Sequence, residues 1–453
     1  MKPLFFPSLA LVLLSACSSQ KGTQNTTRDF YTKDVSKNVF THIQKLSREE
    51  EDIALLGKSF FSKPWVEAPA ATTARDGLGP LFSANSCKHC HPNNGAGIAL
   101  GEKGDAHRSL VMRLSLFSKK NINNDLVLKN GFIPEPNYGS QLSFNGTGDV
   151  KYEGSVALSY MKVSGKFADE EPYVLHSPNY KVKNLQYGSL HEDANVAPHI
   201  ALALVGLGAI DSIDARDILA YEDVNDRDGD GISGKANWVY NPETNKTELG
   251  RYTWKAAAAT VKQQVANAAH NDMGLSNPLY EGDNCTEFQS ECLKAPKSRG
   301  DVFDLPMKRV DAIALYLKSL KIPLQRESEN FAQGREVFHE LGCVKCHVES
   351  YKSEKYGVFN PYSDFLLHDM GESLSDGHTM FQAQESEFRT PPLWGMGLYK
   401  RVSGELNLLH DGRAKSISEA ILWHGGEAEA QKVAYIELPK RKRETLIEFL
   451  KGI

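Results

Sequence analysis

Apolar residues recur at helical spacing in several stretches of the chain, and in fewer places they alternate as they do in strands. Ser47 and Ser416 each stand three residues before a glutamate and just before apolar positions, which is the pattern of a helix capping box. Residues 109–117 and 156–163 alternate between apolar and polar types and lie between clusters of Gly, Asn and Pro, so they predict strands. The pattern therefore predicts a mainly α fold that includes some β structure.

The seven cysteines include two Cys-x-x-Cys-His motifs, at residues 87–91 and 343–347. Thiols at this spacing can add to the two vinyl groups of one haem while the adjacent histidine binds the iron. A zinc site built from both cysteine pairs would leave the histidines unexplained, and a thioredoxin-like dithiol would need a strand-turn-helix context that neither motif has. We therefore expect two covalently bound haem c groups, one held by Cys87, Cys90 and His91 and the other by Cys343, Cys346 and His347.

A repeated closing segment divides the chain. Residues 305–320 and 438–453 both begin with Leu-Pro, continue with basic residues and then place apolar positions at helical spacing, so each predicts a helix with proline as its first residue. Each comes after a Cys-x-x-Cys-His motif, as the closing helix of a cytochrome c unit would. We therefore predict two cytochrome c-like haem domains, at residues 47–325 and 326–453. The first is enlarged by an insert that contains the predicted strands.

The first residues of the chain predict export. A short basic start precedes an apolar run at residues 4–14, which is too short to span a bilayer, and residues 14–17 (Leu-Ser-Ala-Cys) resemble the lipobox of bacterial lipoproteins. That resemblance implies cleavage before Cys17 and attachment of acyl chains to it. The alternative is an ordinary signal peptide followed by an incidental cysteine. We expect a lipoprotein signal peptide at residues 1–16 and a lipidated tether at residues 17–46.

The expected location is the bacterial cell envelope, facing the periplasm, with the lipid as the only contact with the membrane. Export places the chain under oxidising conditions, so the two remaining cysteines, Cys285 and Cys292, are predicted to form a disulfide. The formal net charge of -5 with 24% charged residues gives no basic excess, so no nucleic-acid partner is expected.

Three carboxylates at alternate positions precede a glycine in the predicted insert: Asp226, Asp228 and Asp230. Carboxylates so spaced in a tight turn can converge on a hard cation such as Ca²⁺. Asn237 stands at the twelfth position, where a regular EF-hand has glutamate, so the run is not a regular EF-hand. The sequence predicts a calcium site here, and the alternative is an acidic turn that needs no metal.

Further motifs spread over the chain resemble a known family. The C-terminal Phe-Arg-Thr-Pro-Pro-Leu and His-Asp-Gly-Arg motifs are similar to those of bacterial di-haem cytochrome c peroxidases. More closely, the chain from about residue 60 to its end resembles the di-haem oxidoreductase, putative peroxidase family. The matching residues are DGLGPLF at 76–82, DGDGISG at 228–234, GRYTWKA at 250–256, LLHDM at 366–370, FRTPPL at 388–393, HDGR at 410–413 and ILWHGGEA at 421–428.

This resemblance implies that the N-terminal haem meets peroxide and that the C-terminal haem stores an electron. In the peroxidases a methionine just before the His-Asp-Gly motif is the sixth ligand of the C-terminal haem, but Leu409 stands at that position here. His107 is a candidate sixth ligand for the N-terminal iron, with a surface histidine as the alternative. The other candidate ligands are His368, His410, Met370, Met380 and Met396.

Peroxide reduction also needs a distal acid–base group and a supply of electrons to the reacting iron. Gln141 and Glu153 are candidate distal groups, and Trp254 and Trp394 are candidate electron relays. The expected activity is reduction of hydrogen peroxide with electrons from a small donor protein, a cytochrome c or a cupredoxin. Two alternatives stay open: a di-haem electron-transfer lipoprotein without turnover, and a di-haem oxidase or oxygenase that acts on an organic or protein substrate.

Overall fold

A computed structural model of the chain describes residues 27–99, 109–117, 124–298 and 302–453. Cys17, His107 and the predicted signal peptide lie outside the described residues. Helix, with its 3-10 turns, accounts for 32% of the described residues and strand for 21%, the strands forming small sheets. Helix therefore exceeds strand, as the sequence predicted.

Thirteen α-helices lie within the described ranges, and most of them are short. None of these helices has the length and the apolar character needed to cross a membrane. The helices are α1 Arg48–Ser62, α2 Cys87–Cys90, α3 Asn124–Asn130, α4 Leu207–Asp211, α5 Ala215–Leu219, α6 Val261–Met273, α7 Ser290–Lys294, α8 Met307–Lys318, α9 Phe331–Glu340, α10 Tyr399–Ser403, α11 Ile417–Trp423, α12 Glu429–Glu437 and α13 Lys440–Gly452.

The strands pair two by two in the part of the chain that the structure describes. They are β1 Tyr31–Thr32, β2 Val66–Glu67, β3 Asp76–Leu78, β4 Leu81–Phe82, β5 Leu110–Leu116, β6 Asn145–Gly146, β7 Ser155–Lys166, β8 Pro172–Lys183, β9 Ala194–Ile200, β10 Trp238–Asn241, β11 Lys246–Leu249, β12 Ile322–Pro323, β13 Tyr351–Ser353, β14 Gly357–Phe359, β15 Leu367–Asp369 and β16 Glu387–Arg389. The longest pairs are β5–β9, in register Leu110↔Ile200, and β7–β8, in register Ser155↔Lys183, both antiparallel. They confirm the two strands predicted in the insert.

The predicted helix starts are confirmed, with a shift of one residue at two of them. The Ser47 hydroxyl accepts the backbone N–H three residues later and the capping box is complete, while the Ser416 hydroxyl accepts the equivalent N–H of α11. Pro306 and Pro439 stand at the N-caps of α8 and α13 rather than at the first helical position.

One hydrophobic core is built around α1, α6 and α8. Val310, Ile313 and Leu317 form a buried stripe along α8 at helical spacing. Gly57 of α1 lies against α8 so closely that an added Cβ would stand 1.9 Å from the Ala312 carbonyl oxygen. A glycine is therefore required where these two helices meet.

A second core is built around α9, α11 and α13. The rings of Phe338 and Phe449 lie 5.4 Å apart between α9 and α13, and Leu446 and Leu450 are buried beside them. Gly334 permits this contact, because a Cβ there would stand 2.4 Å from the Thr445 carbonyl oxygen.

The β7–β8 hairpin reaches from the insert to the second core. Phe167 at its turn is buried in that core, and the Arg443 guanidinium of α13 lies 3.9 Å from the centre of its ring. Arg443 also forms ion pairs with Glu171 at 2.6 Å and with Asp169 at 3.1 Å. These contacts fasten the insert to the C-terminal part of the chain.

Part of the predicted tether is folded. Strand β1 pairs in parallel with β12, and the side chains of Val39 and Phe40 have 0% exposure in the first core. The Gln44 side-chain amide donates to the Tyr356 hydroxyl over 3.0 Å. The prediction of a tether over residues 17–46 is therefore wrong for this portion, because its apolar side chains bury against the body of the protein.

Candidate functional site

One cavity of about 590 Å³ is lined by both Cys-x-x-Cys-His motifs. Helices α2, α6, α9 and α11 contribute to its walls together with strands β5 and β9. The cysteines and histidines of the motifs that line it are Cys87, Cys90, His91, Cys343, Cys346 and His347. Residues separated by more than 250 positions in the chain thus line one cavity.

The first motif forms helix α2, and His91 caps the end of that helix. The His91 Nδ1–H donates to the Leu202 carbonyl oxygen over 2.8 Å, which leaves Nε2 as the atom with a free lone pair. Burial lowers the pKa of His91 to about 4, so the ring is neutral near pH 7. A neutral imidazole held in one tautomer is the form that binds a metal ion.

The second motif repeats this arrangement. The His347 Nδ1–H donates to the Tyr362 carbonyl oxygen over 2.9 Å. Burial lowers the pKa of His347 to about 4, and charge on the nearby His424 also opposes its protonation. Phe338 of α9 packs beside the ring, with centroids 6.3 Å apart.

The donor set of the two motifs fits haem better than zinc. All four cysteines are free thiols, and the two pairs do not converge. Among the described residues, three or more side chains lie close enough to share a metal ion in the acidic loop at 226–230, which contains none of these cysteines. Two thiols next to a neutral histidine, twice on the wall of one cavity, match the attachment chemistry of two haem groups.

His368 lines the cavity, but both of its ring nitrogens are engaged. Nε2 lies 2.7 Å from an Asp364 carboxylate oxygen and Nδ1 lies 2.6 Å from Glu427. Burial alone would lower the pKa of His368, yet the charge of Asp364 raises it well above its usual value. The ring is therefore a protonated partner of two carboxylates, and the sequence-based suggestion that it ligates iron is wrong.

Other predicted ligands are brought to the cavity wall. The His410 ring stacks on Phe388 with centroids 4.3 Å apart and planes at 15°, and burial lowers the pKa of His410 to about 4. Leu409 also lines the cavity. The remaining predicted ligands on this wall are Met370, Met380 and Met396.

The sequence did not indicate a buried cluster that reaches the same wall through His199 and Lys255. His199 Nε2 is 2.7 Å from Asp376 Oδ2, and the Lys255 ammonium is 3.2 Å from the other oxygen of that carboxylate. Burial lowers the pKa of His199. Although burial alone would raise the pKa of Asp376, the hydrogen bond from His199 and the charge of Lys255 hold it well below its usual range. A neutral His199 thus donates its Nε2–H to an ionised carboxylate.

Arg113 and Asp272 add charge to the cavity wall near the first motif. Burial lowers the pKa of Arg113, and the charge of Asp272 counteracts this effect. The charge of Asp272 also raises the pKa of Cys87, after the larger effect of burial. Gln141, a predicted distal group, donates from Nε2 to Asp272 Oδ1 over 2.9 Å. It does not itself line the cavity but holds the Asp272 carboxylate, which does.

Glu153, the other predicted distal group, is not among the residues that line the cavity. Its carboxylate accepts hydrogen bonds of 2.5 Å from the Ser143 N–H and the Gln289 side-chain amide, and burial raises its pKa to about 8. Gln289 stands between Cys285 and Cys292, which form a disulfide in the structure. The sequence-based assignment of Glu153 to the distal site is wrong, because this carboxylate supports the disulfide loop instead.

Both tryptophans predicted as relays line the cavity. The Trp254 Nε1–H donates to the Ile200 carbonyl oxygen over 2.7 Å. Trp394 packs on Gly206, where a Cβ would stand 2.1 Å from its ring. Hydrogen bonding and close packing thus fix the two indoles in the wall shared by both motifs.

His424, at the end of α11, also lines the cavity and was not among the predicted ligands. Its Nδ1–H donates to the Ala420 carbonyl oxygen over 2.6 Å, and burial lowers its pKa. The sequence carried a signal for this residue, since His424 continues the buried stripe of an otherwise apolar helix face.

The predicted calcium residues converge in an exposed loop outside the cavity. One carboxylate oxygen from each of Asp226, Asp228 and Asp230 lies within 4.8 Å of the others. Gly229 and Gly231 adopt φ values of 70° and 81°, which bend the loop so that its carboxylates face one another.

The match to a family model agrees with this site. The family model described as di-haem oxidoreductase, putative peroxidase, matches residues 17–453, and the chain belongs to this family. The protein is therefore an oxidoreductase with two haem groups. Among solved structures, the chain is similar to hydrazine synthase of Kuenenia stuttgartiensis under xenon pressure, with 11% identity, 100% coverage of both chains and a TM-score of 0.36. A search of curated proteins finds no match.

Proposed function

We propose that this protein is an exported, lipid-anchored c-type cytochrome that reduces hydrogen peroxide at the haem of the first motif. Electrons would arrive from a small donor protein, a cytochrome c or a cupredoxin, through the haem of the second motif. The observation that carries the proposal is that His199, on the wall of the cavity that both motifs line, is hydrogen-bonded to the buried Asp376 behind it.

The residues that would hold the two groups are those of the motifs. Cys87 and Cys90 would form the thioether bonds at the first site, and His91 would bind the iron through Nε2. The second site would use the equivalent residues of the second motif. When bound, the haem groups supply electron storage and the binding of peroxide.

His199 is the side chain best suited to move a proton. Its Nε2–H is committed to Asp376, so its Nδ1 is the atom that can accept a proton. Asp376 fixes the tautomer and stabilises the protonated ring, which is the role of the carboxylate in a His–Asp pair. Peroxide reduction requires a proton to pass from one oxygen to the other, and a neutral, oriented imidazole performs that transfer.

Two buried cations support this role. Lys255 neutralises the Asp376 carboxylate and also lies 4.1 Å from the centre of the Phe388 ring. Arg113 also lines the cavity, where the charge of Asp272 favours its protonated form. A guanidinium in that position can stabilise negative charge that develops on peroxide oxygen.

The electron route and the metal loop complete the proposal. Trp254 and Trp394 would carry electrons between the two haem sites, since both are fixed in the shared wall. The loop at 226–230 would bind Ca²⁺ through its three carboxylates. Lipid attachment at Cys17 would keep the protein at the cell envelope.

The test uses fully haem-loaded protein and a reduced donor. His199→Gln should lower kcat/KM for peroxide by roughly 10²–10⁴-fold, the usual contribution of a general acid–base group, while the haem content stays at two per chain. His378→Gln is the matched control, because His378 is another buried histidine beside Asp376 but does not line the cavity. Its activity should stay near that of the wild type.

Electron paramagnetic resonance before and after peroxide addition separates the alternatives. A high-spin ferric signal that peroxide removes supports the peroxidase. Two low-spin signals that peroxide does not change in any redox state would overturn the proposed peroxidase activity in favour of an electron-transfer lipoprotein. Donor-independent consumption of oxygen with an organic or protein substrate would overturn it in favour of an oxidase or oxygenase.

A further inference from the structure

Helix α11 presents a continuous stripe to the cavity. Ile417, Ala420, Ile421 and His424 all line it, at positions i, i+3, i+4 and i+7. The first three are apolar, so the stripe ends in a single polar ring. A polar side chain on a buried helix face needs a partner, because burying an unsatisfied polar group costs free energy.

The orientation of His424 is that of a metal ligand. Its Nδ1–H donates to the Ala420 carbonyl oxygen over 2.6 Å, as the Nδ1–H groups of His91 and His347 donate to backbone carbonyls. This bond fixes the tautomer with the lone pair on Nε2. Within the described ranges, His424 Nε2 has no hydrogen-bond partner. Its lone pair is therefore available to bind a metal ion.

We propose that His424 is the sixth ligand of the haem iron at the second motif, so that this iron is held by His347 and His424. The inference rests on the proposed attachment of haem c at Cys343 and Cys346. Both histidines line the same cavity, and the Nδ1–H of each donates to a backbone carbonyl oxygen.

The competing ligands are less suited to this iron. His368 is bound by carboxylates at both nitrogens, and Leu409 occupies the position where related peroxidases have methionine. Met370, Met380, Met396 and His410 also line the cavity and are the rivals that the experiments below separate from His424.

The proposal changes the expected role of the second haem. A thioether ligand raises the potential of a haem relative to a second imidazole. With two histidines, the second site would pass electrons at a lower potential than the resemblance to the peroxidases implies. It would also be closed to peroxide, which confines substrate to the first site.

Spectroscopy of the haem-loaded wild-type protein is the first test. Magnetic circular dichroism in the near infrared distinguishes a ferric haem with two imidazoles from one with an imidazole and a thioether. We expect a bis-imidazole signature for the second haem and no thioether band. A thioether band that disappears in Met370→Leu or Met396→Leu would overturn the proposal.

Variants of His424 complete the test. His424→Ala should convert one haem to high spin, and added imidazole should restore the low-spin spectrum. His424→Met should shift one midpoint potential upward, and Met161→Leu, at an exposed methionine of β7 that does not line the cavity, is the control that should shift neither. An unchanged spectrum in His424→Ala would also overturn the assignment. If His424→Ala loses its haem, the wild-type spectrum decides.

The number of covalent haem groups per chain distinguishes a failure of the proposed function from a failure of the His424 assignment alone. Fewer than two covalent haems per chain in the wild type would overturn the proposed function together with this inference. Two haems with a thioether signature would overturn the role of His424 and leave the proposed function standing.

Discussion

Lys345 stands between the two cysteines of the second motif, and its ammonium forms an ion pair of 2.9 Å with Asp230, the last carboxylate of the acidic loop. A second connection begins at Ser233, three residues after Asp230, where the backbone N–H and the hydroxyl of Ser233 both donate to the Glu427 carboxylate. Glu427 in turn bonds to His368 beside Cys346. The acidic loop is therefore coupled to the second motif by charge and by hydrogen bonds.

This ion pair predicts that Lys345 competes with calcium. Lys345→Gln frees the Asp230 carboxylate, and because exposed ion pairs contribute about 0.2–1 kcal/mol, calcium should bind up to about fivefold more tightly. Isothermal titration measures the difference. The exposed Lys352→Gln is the control and should leave the affinity unchanged. Equal affinities in all three proteins, or no binding at all, would contradict the prediction.

The His199–Asp376 pair predicts an unusual pH profile. Burial lowers the pKa of His199, so its neutral form persists below the usual histidine value of about 6.5. Peroxide turnover should therefore persist to a lower pH than an ordinary histidine base would allow. A profile of kcat/KM against pH measures this, and half-loss at about pH 6.5 would argue against His199 as the base.

The contacts that Arg443 makes with the β7–β8 hairpin predict its contribution to the free energy of unfolding. Arg443→Ala removes two ion pairs and the contact with Phe167, and it should lower the free energy of unfolding by about 1–3 kcal/mol, since Asp169 and Glu171 are partly exposed. Arg441→Ala, on the exposed side of the same helix, should stay within about 0.5 kcal/mol. Chemical denaturation compares the two, and equal losses would contradict the prediction.

Glu153 predicts a pH-dependent stability. Burial raises the pKa of its carboxyl to about 8 in the folded protein, against about 4.3 in an unfolded chain. The folded state holds the proton more tightly, so this contribution to stability is complete below about pH 4 and is lost as the pH rises towards 8. Glu153→Gln cannot ionise.

The melting temperature of Glu153→Gln relative to that of the wild type should therefore increase steadily from pH 5 to about pH 8. The exposed Glu192→Gln is the control and should differ from the wild type by the same small amount throughout. A constant difference for Glu153→Gln would show that the carboxyl does not hold its proton in the folded protein.

The sequence by itself determined what local pattern and chemistry decide. Capping serines and apolar spacing located the starts of α1 and α11, and alternation located β5 and β7, because these features depend on neighbours only a few residues away. The motifs at 87–91 and 343–347 predicted the haem chemistry, because two thiols and a histidine at that spacing form a complete attachment unit.

Only the tertiary structure decided which side chains meet in and around the cavity. His199 and Asp376 are 177 residues apart, and neither stands in a motif that indicates the other. His368 and Glu153 carried chemically plausible side chains, but the structure pairs one with two carboxylates and buries the other in the disulfide loop. Contacts of this kind depend on how the cores pack, and local periodicity contains no information about partners across the fold.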